Sequence, residues 1–161
     1  MQTDYQAVVA APFGALGVRV TSGELTGIDF LQDASELRAA NDVATQTICA
    51  QLIDYLKNPH HPLDFPMCLS GTPFQQRVWR AMQAIPIGET LTYAELAQRI
   101  SSGPRAVANA CGANPIPVVI PCHRVVAKNG LGGFMGGREA DSLFIKQWLL
   151  AHERSEPYAA G

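Results

Sequence analysis

The stretch TYAELAQRISSGPRAVANACGA, residues 92–113, contains two helical patterns separated by a break. Thr92 followed by Glu95 forms a capping box, which predicts that the first helix begins at this point. Residues 101–104, with a glycine and a proline, interrupt the pattern, and residues 105–113 then predict a second helix rich in small residues. Two short helices joined by a four-residue turn fit a helix-turn-helix, although many such corners bind nothing.

The stretch NPIPVVIPCHRVV, residues 114–126, follows directly. Its three prolines favour extended backbone, so we expect a strand-like segment over Val118–Ile120 that leads to Cys122. A cysteine attacks as a thiolate and needs a base nearby, and His123 is its neighbour. Side chains of neighbours on a regular strand point to opposite faces, so contact between Cys122 and His123 requires Cys122 to lie at a turn or helix start, or a water between them. The alternative is that Cys122 is simply a small buried hydrophobic residue.

The flanking segments predict an α+β chain. Residues 5–32 contain three β-branched runs separated by turn residues, which predicts an antiparallel meander or hairpin. Residues 41–57 have helical periodicity, with Val43, Ile48, Leu52, Ile53 and Leu56 on one face and with Asn41 or Asp42 as the cap. Further helices are predicted to begin at Thr72-Pro73 and to span residues 142–153.

Charge and composition change along the chain. Residues 58–66 have the composition of a linker, and we place a domain boundary near residue 70. Residues 1–70 have a net charge of −5 and residues 71–161 have a net charge of +3. A polyanionic partner would therefore bind to residues 71–161. We expect no membrane span, no secretory signal and a cytoplasmic location. The four cysteines include no Cys-x-x-Cys pair, so we expect neither a metal nor another cofactor.

The segment Pro121-Cys122-His123-Arg124-Val125-Val126 closely resembles the acceptor motif of the O6-alkylguanine-DNA alkyltransferases, or methylated-DNA–protein-cysteine methyltransferases. Further segments resemble this family in the same order and at compatible spacing. These are residues 72–79, 87–90, 92–94, 105–107, 114–115 and 148–153. The resemblance covers residues 72 to about 153, half of the chain.

The resemblance implies a small N-terminal α/β domain of ribonuclease H-like fold over residues 1–70, with a structural role. It implies a mainly helical C-terminal domain over residues 71–161, with a helix-turn-helix, that binds DNA and carries the acceptor. The implied function is DNA repair by stoichiometric transfer of an alkyl group from O6-alkylguanine to Cys122, which inactivates the protein. Activity on O4-alkylthymine stays open.

The resemblance also assigns the catalytic residues. Cys122 is the acceptor, His123 and Glu153 form with a water the chain that removes its proton, and Asn114 braces the turn before it. Tyr93 rotates the phosphate 3′ of the target and donates its hydroxyl to guanine. The alternatives are an exposed helix end for Glu153, a helix C-terminal residue for Asn114 and a half-buried aromatic for Tyr93.

For DNA binding the resemblance assigns Arg105, which takes the place of the extruded nucleotide, together with Tyr93, Ala106 and Lys128. A phosphate contact or a solvated arginine is the alternative for Arg105. The substrate pocket is assigned to Val125, Phe134, Met135 and Gly136. The loop over residues 129–137 departs from the family because it lacks a Tyr or Ser found in some members, which leaves the width of the pocket open.

The expected partner is double-stranded DNA that carries O6-alkylguanine. We expect a monomer, and clustering on DNA stays open. Two competing hypotheses remain. A non-catalytic damage-binding protein is disfavoured because such relatives lack the acceptor cysteine. A Cys-His hydrolase is supported by Cys122 and His123 alone.

Overall fold

Three strands form an antiparallel sheet in the order β1-β2-β3, with β1 Ala7–Ala11, β2 Gly14–Thr21 and β3 Glu24–Leu31. This confirms the predicted meander. Ser22 and Gly23 both have positive φ, at 53° and 81°, as a two-residue type I′ hairpin turn requires. The computed structural model describes residues 5–32, 37–132 and 142–154, and the chain divides into two compact units, Met1–Ser70 and Gly71–Gly161.

Helix α1, Val43–Lys57, packs against β1 and β3. Asp42 caps it, because its carboxylate accepts a hydrogen bond from the Thr45 N–H at 2.8 Å. The predicted apolar face is only partly right. Ile48 and Leu52 are buried, but Val43 is 77% exposed and Ile53 is 36% exposed. The buried stripe instead consists of Thr45, Ile48, Cys49, Leu52 and Tyr55.

Residues 58–66 are not a free linker, contrary to the expectation from composition. The Gln51 side chain exchanges two hydrogen bonds with the backbone of Asp64. Further on, Leu25 donates to Pro66 O and accepts from the Cys68 N–H, both at 2.9 Å. The segment is therefore part of the first unit, fixed there by hydrogen bonds that its proline content does not reveal.

The second unit contains helices α2 Pro73–Gln83, α3 Tyr93–Arg99, α4 Pro104–Gly112 and α5 Ser142–Arg154. Helices α2, α3 and α4 pack against one another. Thr72 and Thr92 both form complete capping boxes, as the sequence predicted for Thr92. A parallel pair of two-residue strands, β4 Leu91–Thr92 and β5 Val125–Val126, was not predicted, because two residues are too short to show a period.

The predicted strand over Val118–Ile120 is wrong. Ile120 N–H donates to Ile116 O at 2.9 Å, and Val118 has a φ of 77°, so the chain folds back as a turn. Such a φ is rare for a β-branched residue, and no local sequence rule predicts it.

The chain is thus a mixed α/β protein, as expected. Within the described residues, no helix has the length and apolarity that a membrane span requires.

Trp79 is the largest fully buried side chain of the second unit, and its Nε1 donates to Ala110 O at 2.9 Å. Replacing Trp79 with Phe removes buried area and the indole hydrogen bond to Ala110 O, a carbonyl that also accepts from the Ala113 N–H at 3.2 Å. We expect Trp79→Phe to lower the free energy of unfolding by about 2–4 kcal/mol. Urea denaturation followed by circular dichroism measures the change.

Trp148→Phe is the matched control, because the Trp148 ring is partly exposed and stacks on His152 with centroids 4.5 Å apart. Trp148→Phe should lower the free energy of unfolding by clearly less than Trp79→Phe does. An equal or larger loss at Trp148 would contradict the assignment of Trp79 as the central buried contact.

Candidate active site

Cys122 begins a single 3-10 turn, Cys122–Arg124, which we call the cysteine turn. The Cys122 N–H donates to Ile120 O at 2.8 Å, and the Arg124 N–H donates to Pro121 O at 2.9 Å. Cys122 is 4% exposed and His123 is fully buried. Because the backbone turns here, the opposition of neighbouring side chains on a strand does not apply.

Asn114 holds the loop that precedes the cysteine. Its Nδ2 donates to Ile120 O at 2.8 Å, and its Oδ1 accepts from the Ile116 N–H at 2.9 Å. Asn114 is itself buried. The side chain thus closes the turn that contains Val118 at positive φ, and it fixes the backbone that leads to Cys122.

Glu153, on α5, joins the cysteine turn to the last helix. His123 Nε2 lies 2.8 Å from Glu153 Oε2, and both side chains are almost completely buried. Arg124 binds the same carboxylate in bidentate fashion, with Nε 2.8 Å from Oε1 and Nη2 2.9 Å from Oε2. Its Nη1 also donates to Ile85 O at 2.7 Å. The carboxylate therefore orients two consecutive residues of the turn.

Burial and pairing set the charges of this group. Burial acts to raise the pKa of Glu153, but the hydrogen bonds from His123 and Arg124 outweigh it and hold the pKa far below its usual range. Burial lowers the pKa of His123 below its ordinary value, although Glu153 opposes the change. The carboxylate is thus ionised at neutral pH, and the imidazole is neutral there.

The thiol of Cys122 is protonated at neutral pH. Burial raises its pKa to about 11, and the Asn114 side chain and the charge of Lys146 oppose this only in part. A second buried thiol, Cys111 on α4, interacts electrostatically with it. Cys122 therefore needs a base at the moment of reaction.

Lys146 is fully buried on α5, and the sequence analysis did not single it out. Its Nζ donates to Val125 O at 2.8 Å and to Leu131 O at 2.6 Å. A signal was present, because Lys146 shares the helix face of the buried residues Leu149, Leu150 and Glu153. Arg124 was also missed as a site residue, although it lies inside the quoted motif.

Tyr93, the first residue of α3, is half-buried beside these groups. Its ring centroid lies 6.0 Å from Lys146 Nζ. Gly132 has a φ of 73°, and a Cβ at this position would lie 2.9 Å from Tyr93 Cε2 and 3.1 Å from Ala127 N. Only a glycine lets the loop backbone approach the ring this closely.

Three of the residues assigned to DNA binding are exposed, whereas the thiol is buried. Arg105 and Ala106 are exposed at the start of α4, and Lys128 is exposed after β5. Val125, assigned to the pocket, is buried and its carbonyl is bound by Lys146. Phe134, Met135 and Gly136 lie outside the described residues.

The site thus brings together one buried thiol, a neutral imidazole held by a carboxylate and a buried ammonium. Both ring nitrogens of His123 are buried, and neither makes a hydrogen bond of ordinary geometry to the described residues; Nε2 lies 2.8 Å from Glu153 Oε2, which leaves Nδ1 as the nitrogen that does not face the carboxylate. No group of three potential metal ligands occurs within the part of the chain that the structure describes. A neutral imidazole held by a carboxylate is a group that can take a proton from a nucleophilic sulfur.

Comparisons with known proteins agree with the sequence resemblance. The family model for the 6-O-methylguanine DNA methyltransferase DNA binding domain matches residues 73–155. A probable methylated-DNA–protein-cysteine methyltransferase of Acanthamoeba polyphaga mimivirus is 52% identical over 88 residues, which cover 53% of this chain and 56% of that protein. The chain spans about half the length of several curated relatives that it matches.

Other relatives match along nearly the whole chain. The methylated-DNA–protein-cysteine methyltransferase of Metallosphaera sedula is 34% identical, and the match covers 90% of each protein. The crystal structure of Mycobacterium tuberculosis OGT in complex with DNA has a TM-score of 0.74 and 33% identity, and covers 91% of each chain. The motifs, the fold and these matches together establish that the chain belongs to the 6-O-methylguanine DNA methyltransferase family.

Proposed function

We propose that this protein repairs DNA by transferring the alkyl group of O6-alkylguanine to the sulfur of Cys122. The observation that carries the proposal is the buried set of Cys122, His123 and Glu153, in a chain whose relatives are named methylated-DNA–protein-cysteine methyltransferases. A buried thiol with a base beside it is suited to one displacement at a carbon that is brought into the pocket.

The step is an in-line displacement. Sulfur forms a bond to the alkyl carbon while the bond from that carbon to O6 breaks, and the electron pair stays on guanine. His123 takes the thiol proton through a water, and since its Nε2 faces Glu153, Nδ1 is the atom that accepts it. The proton that His123 has taken then passes to the displaced guanine, so guanine leaves neutral and the imidazole is neutral again, while the Tyr93 hydroxyl donates a hydrogen bond to the guanine.

The product limits the protein to one reaction. A thioether on Cys122 has no bond that water hydrolyses readily, so the sulfur is not regenerated. The neutral imidazole of His123 and the protonated thiol are the forms present before the reaction, because burial lowers the pKa of one and raises that of the other. Asn114 contributes by fixing the turn that presents the sulfur.

For DNA recognition we propose that α3 and α4 act as a helix-turn-helix. Arg105 and Ala106 are exposed at the start of α4, and Tyr93 begins α3, so the three lie at the ends of the two helices. Residues 71–161 carry a net charge of +3, which favours a polyanion. The similar Mycobacterium tuberculosis protein has been crystallised with DNA.

A guanine inside the duplex cannot present its alkyl carbon to a buried sulfur. The nucleotide therefore has to be extruded, which costs a few kcal/mol and less where alkylation has weakened pairing. Arg105 would fill the vacated space, and Lys128 would contact the backbone. Val125 would line the pocket together with Phe134, Met135 and Gly136.

We propose a structural role and a ribonuclease H-like fold for residues 1–70, in which β1–β3 and α1 form one packed unit. We place the protein in the cytoplasm, where a thiol acceptor stays reduced. The working form is proposed to be a monomer on double-stranded DNA.

The direct test uses a duplex that contains one O6-methylguanine, followed by mass spectrometry of the intact chain and its peptides. We expect one added methyl group, on the peptide that holds Cys122, with saturation at one per molecule. Cys122→Ser should abolish transfer and keep DNA binding. Cys111→Ser, which changes the other buried thiol of the second unit, should keep transfer.

Each failure would have a distinct meaning. Tight binding without any mass gain would favour the damage-binding protein. Repeated release of product with an unmodified Cys122 would favour the hydrolase.

The proposed proton path requires an ionised Glu153. Because the pKa of Glu153 is depressed in the folded protein, its contribution to stability is complete above the ordinary pKa of about 4.3 and is lost as the pH falls below it. We expect Glu153→Gln to lower the free energy of unfolding by about 3 kcal/mol near neutral pH, since it leaves Arg124 without its charged partner. This difference should shrink below about pH 4.

Urea denaturation of both proteins from about pH 7 to about pH 3.5 measures this. Glu95→Gln is the control, because Glu95 is an exposed carboxylate that caps α3. Glu95→Gln should lower the free energy of unfolding by less than about 1 kcal/mol. A loss for Glu153→Gln that is independent of pH would contradict the buried ion pair.

A further inference from the structure

The turn between α3 and α4 is bound by a side chain from a third helix. Arg77 lies exposed on α2, and its Nη2 donates a hydrogen bond to the carbonyl oxygen of Ile100, the residue that ends α3. Among the described residues, no carboxylate forms an ion pair with Arg77. The proposed chemistry does not use this arginine, so its contact with the turn calls for an explanation.

The end of α3 forms a Schellman motif with an unfavourable residue in it. The Ser102 N–H donates to Ala97 O at 2.9 Å, and the Ser101 N–H donates to Gln98 O at 3.3 Å. This motif places Ser101 at a φ of 56°, a conformation that glycine adopts readily and that is unfavourable for a residue with a Cβ atom. The residues of the motif therefore stabilise the end of α3 only weakly.

The start of α4 adds little to the stability of the turn. Gly103 precedes the helix, and no side chain caps the first N–H groups. Pro104 follows at the first helical position, where its ring fixes φ but its nitrogen donates no hydrogen bond. The connection thus has a serine where glycine is preferred and a glycine where a capping side chain is preferred. Contacts from outside the connection are needed to fix the angle between α3 and α4.

Helix α2 supplies such contacts at two points. Arg77 binds the Ile100 carbonyl at the end of α3, and Trp79, two residues later, donates from Nε1 to Ala110 O on α4 at 2.9 Å. The guanidinium carbon of Arg77 lies 5.9 Å from the ring centroid of Phe74, one turn earlier on α2, and this contact limits the motion of the side chain. Helix α2 therefore binds one backbone carbonyl from each of the two helices.

The turn lies between residues that are proposed to bind DNA. Tyr93 is the first residue of α3, and Arg105 is the second residue of α4. Because these two helices meet at the turn, a change in the angle between them moves Tyr93 relative to Arg105. A duplex binds more tightly to two side chains whose spacing is already fixed, because less conformational entropy is lost on binding.

We propose that Arg77 is a positioning residue for DNA binding, which holds the turn between α3 and α4 and so fixes the spacing of Tyr93 and Arg105. The inference rests on the proposed function, in which these two helices bind the duplex. A direct contact between Arg77 and a DNA phosphate is the alternative, and salt dependence distinguishes the two. Loss of one phosphate contact lowers the slope of log affinity against log salt concentration by about one, whereas loss of a positioning residue leaves the slope unchanged.

The experiment compares the wild-type chain with Arg77→Met, alone and combined with Ser101→Gly. Fluorescence anisotropy of a labelled, undamaged duplex gives the Kd from about 50 to about 200 mM salt. Amide hydrogen exchange at Ser101 and Ser102, followed by NMR without DNA, reports on the turn itself. Arg80→Met is the matched control, because Arg80 is another exposed arginine of α2. Circular dichroism checks that every variant is folded under these conditions.

We expect Arg77→Met to raise the Kd about fivefold at every salt concentration and to speed exchange of both amides by a similar factor, the effect of one lost hydrogen bond. Adding Ser101→Gly should recover most of the affinity, because glycine adopts a φ of 56° without strain and cannot replace a phosphate contact. Arg80→Met should change the Kd and the exchange rates by less than about twofold.

Unchanged exchange of the two amides in Arg77→Met would overturn the inference, whatever happens to DNA binding. A salt slope lowered by about one, or no recovery with Ser101→Gly, would overturn it in favour of a phosphate contact. Faster exchange with an unchanged Kd would show that the contact only stabilises the fold, which also overturns the role in DNA binding. A wild-type chain that does not bind the duplex, with faster exchange in Arg77→Met, would overturn the proposed function and not the role of Arg77 in holding the turn.

Discussion

The bidentate ion pair between Arg124 and Glu153 is the interaction on which the geometry of the site depends. It connects the cysteine turn to α5, and through Nη1 of Arg124 it also binds the Ile85 carbonyl after α2. Because the pair is buried, loss of either partner would leave an uncompensated charge, so the turn and the helix are held together strongly. The position of His123 follows from this contact, since its Nε2 lies against the same carboxylate.

The same burial that fixes the geometry opposes the chemistry. A sulfur that is 4% exposed loses the hydration that would stabilise its anion, and its pKa rises to about 11. Reactivity then depends on groups that act only on the ionised form. Asn114 and Lys146 are such groups, whereas the Arg124–Glu153 pair is close to neutral in sum.

The sequence predicted best where structure is decided by neighbouring residues. The capping boxes, the prolines at helix starts and the turn at Ser22-Gly23 require contacts within a few positions, and α3 therefore begins where Thr92 and Glu95 place it. The helix limits and the meander were predictable for this reason. The motif around Cys122 predicted the family and the acceptor, although no local rule gave the partners of each side chain.

The errors arose where distant contacts overrule local preference. The prolines favoured a strand over Val118–Ile120, but the Asn114 side chain binds the Ile116 N–H and Ile120 O and closes the segment between them into a turn. This turn changes the chemistry, because a strand would have directed Cys122 and His123 to opposite faces. Lys146 escaped notice because a lysine among apolar residues usually extends to water, and its carbonyl partners come from residues 21 and 15 positions away. The turn and the buried lysine both depend on tertiary contacts, which is why local sequence patterns did not predict them.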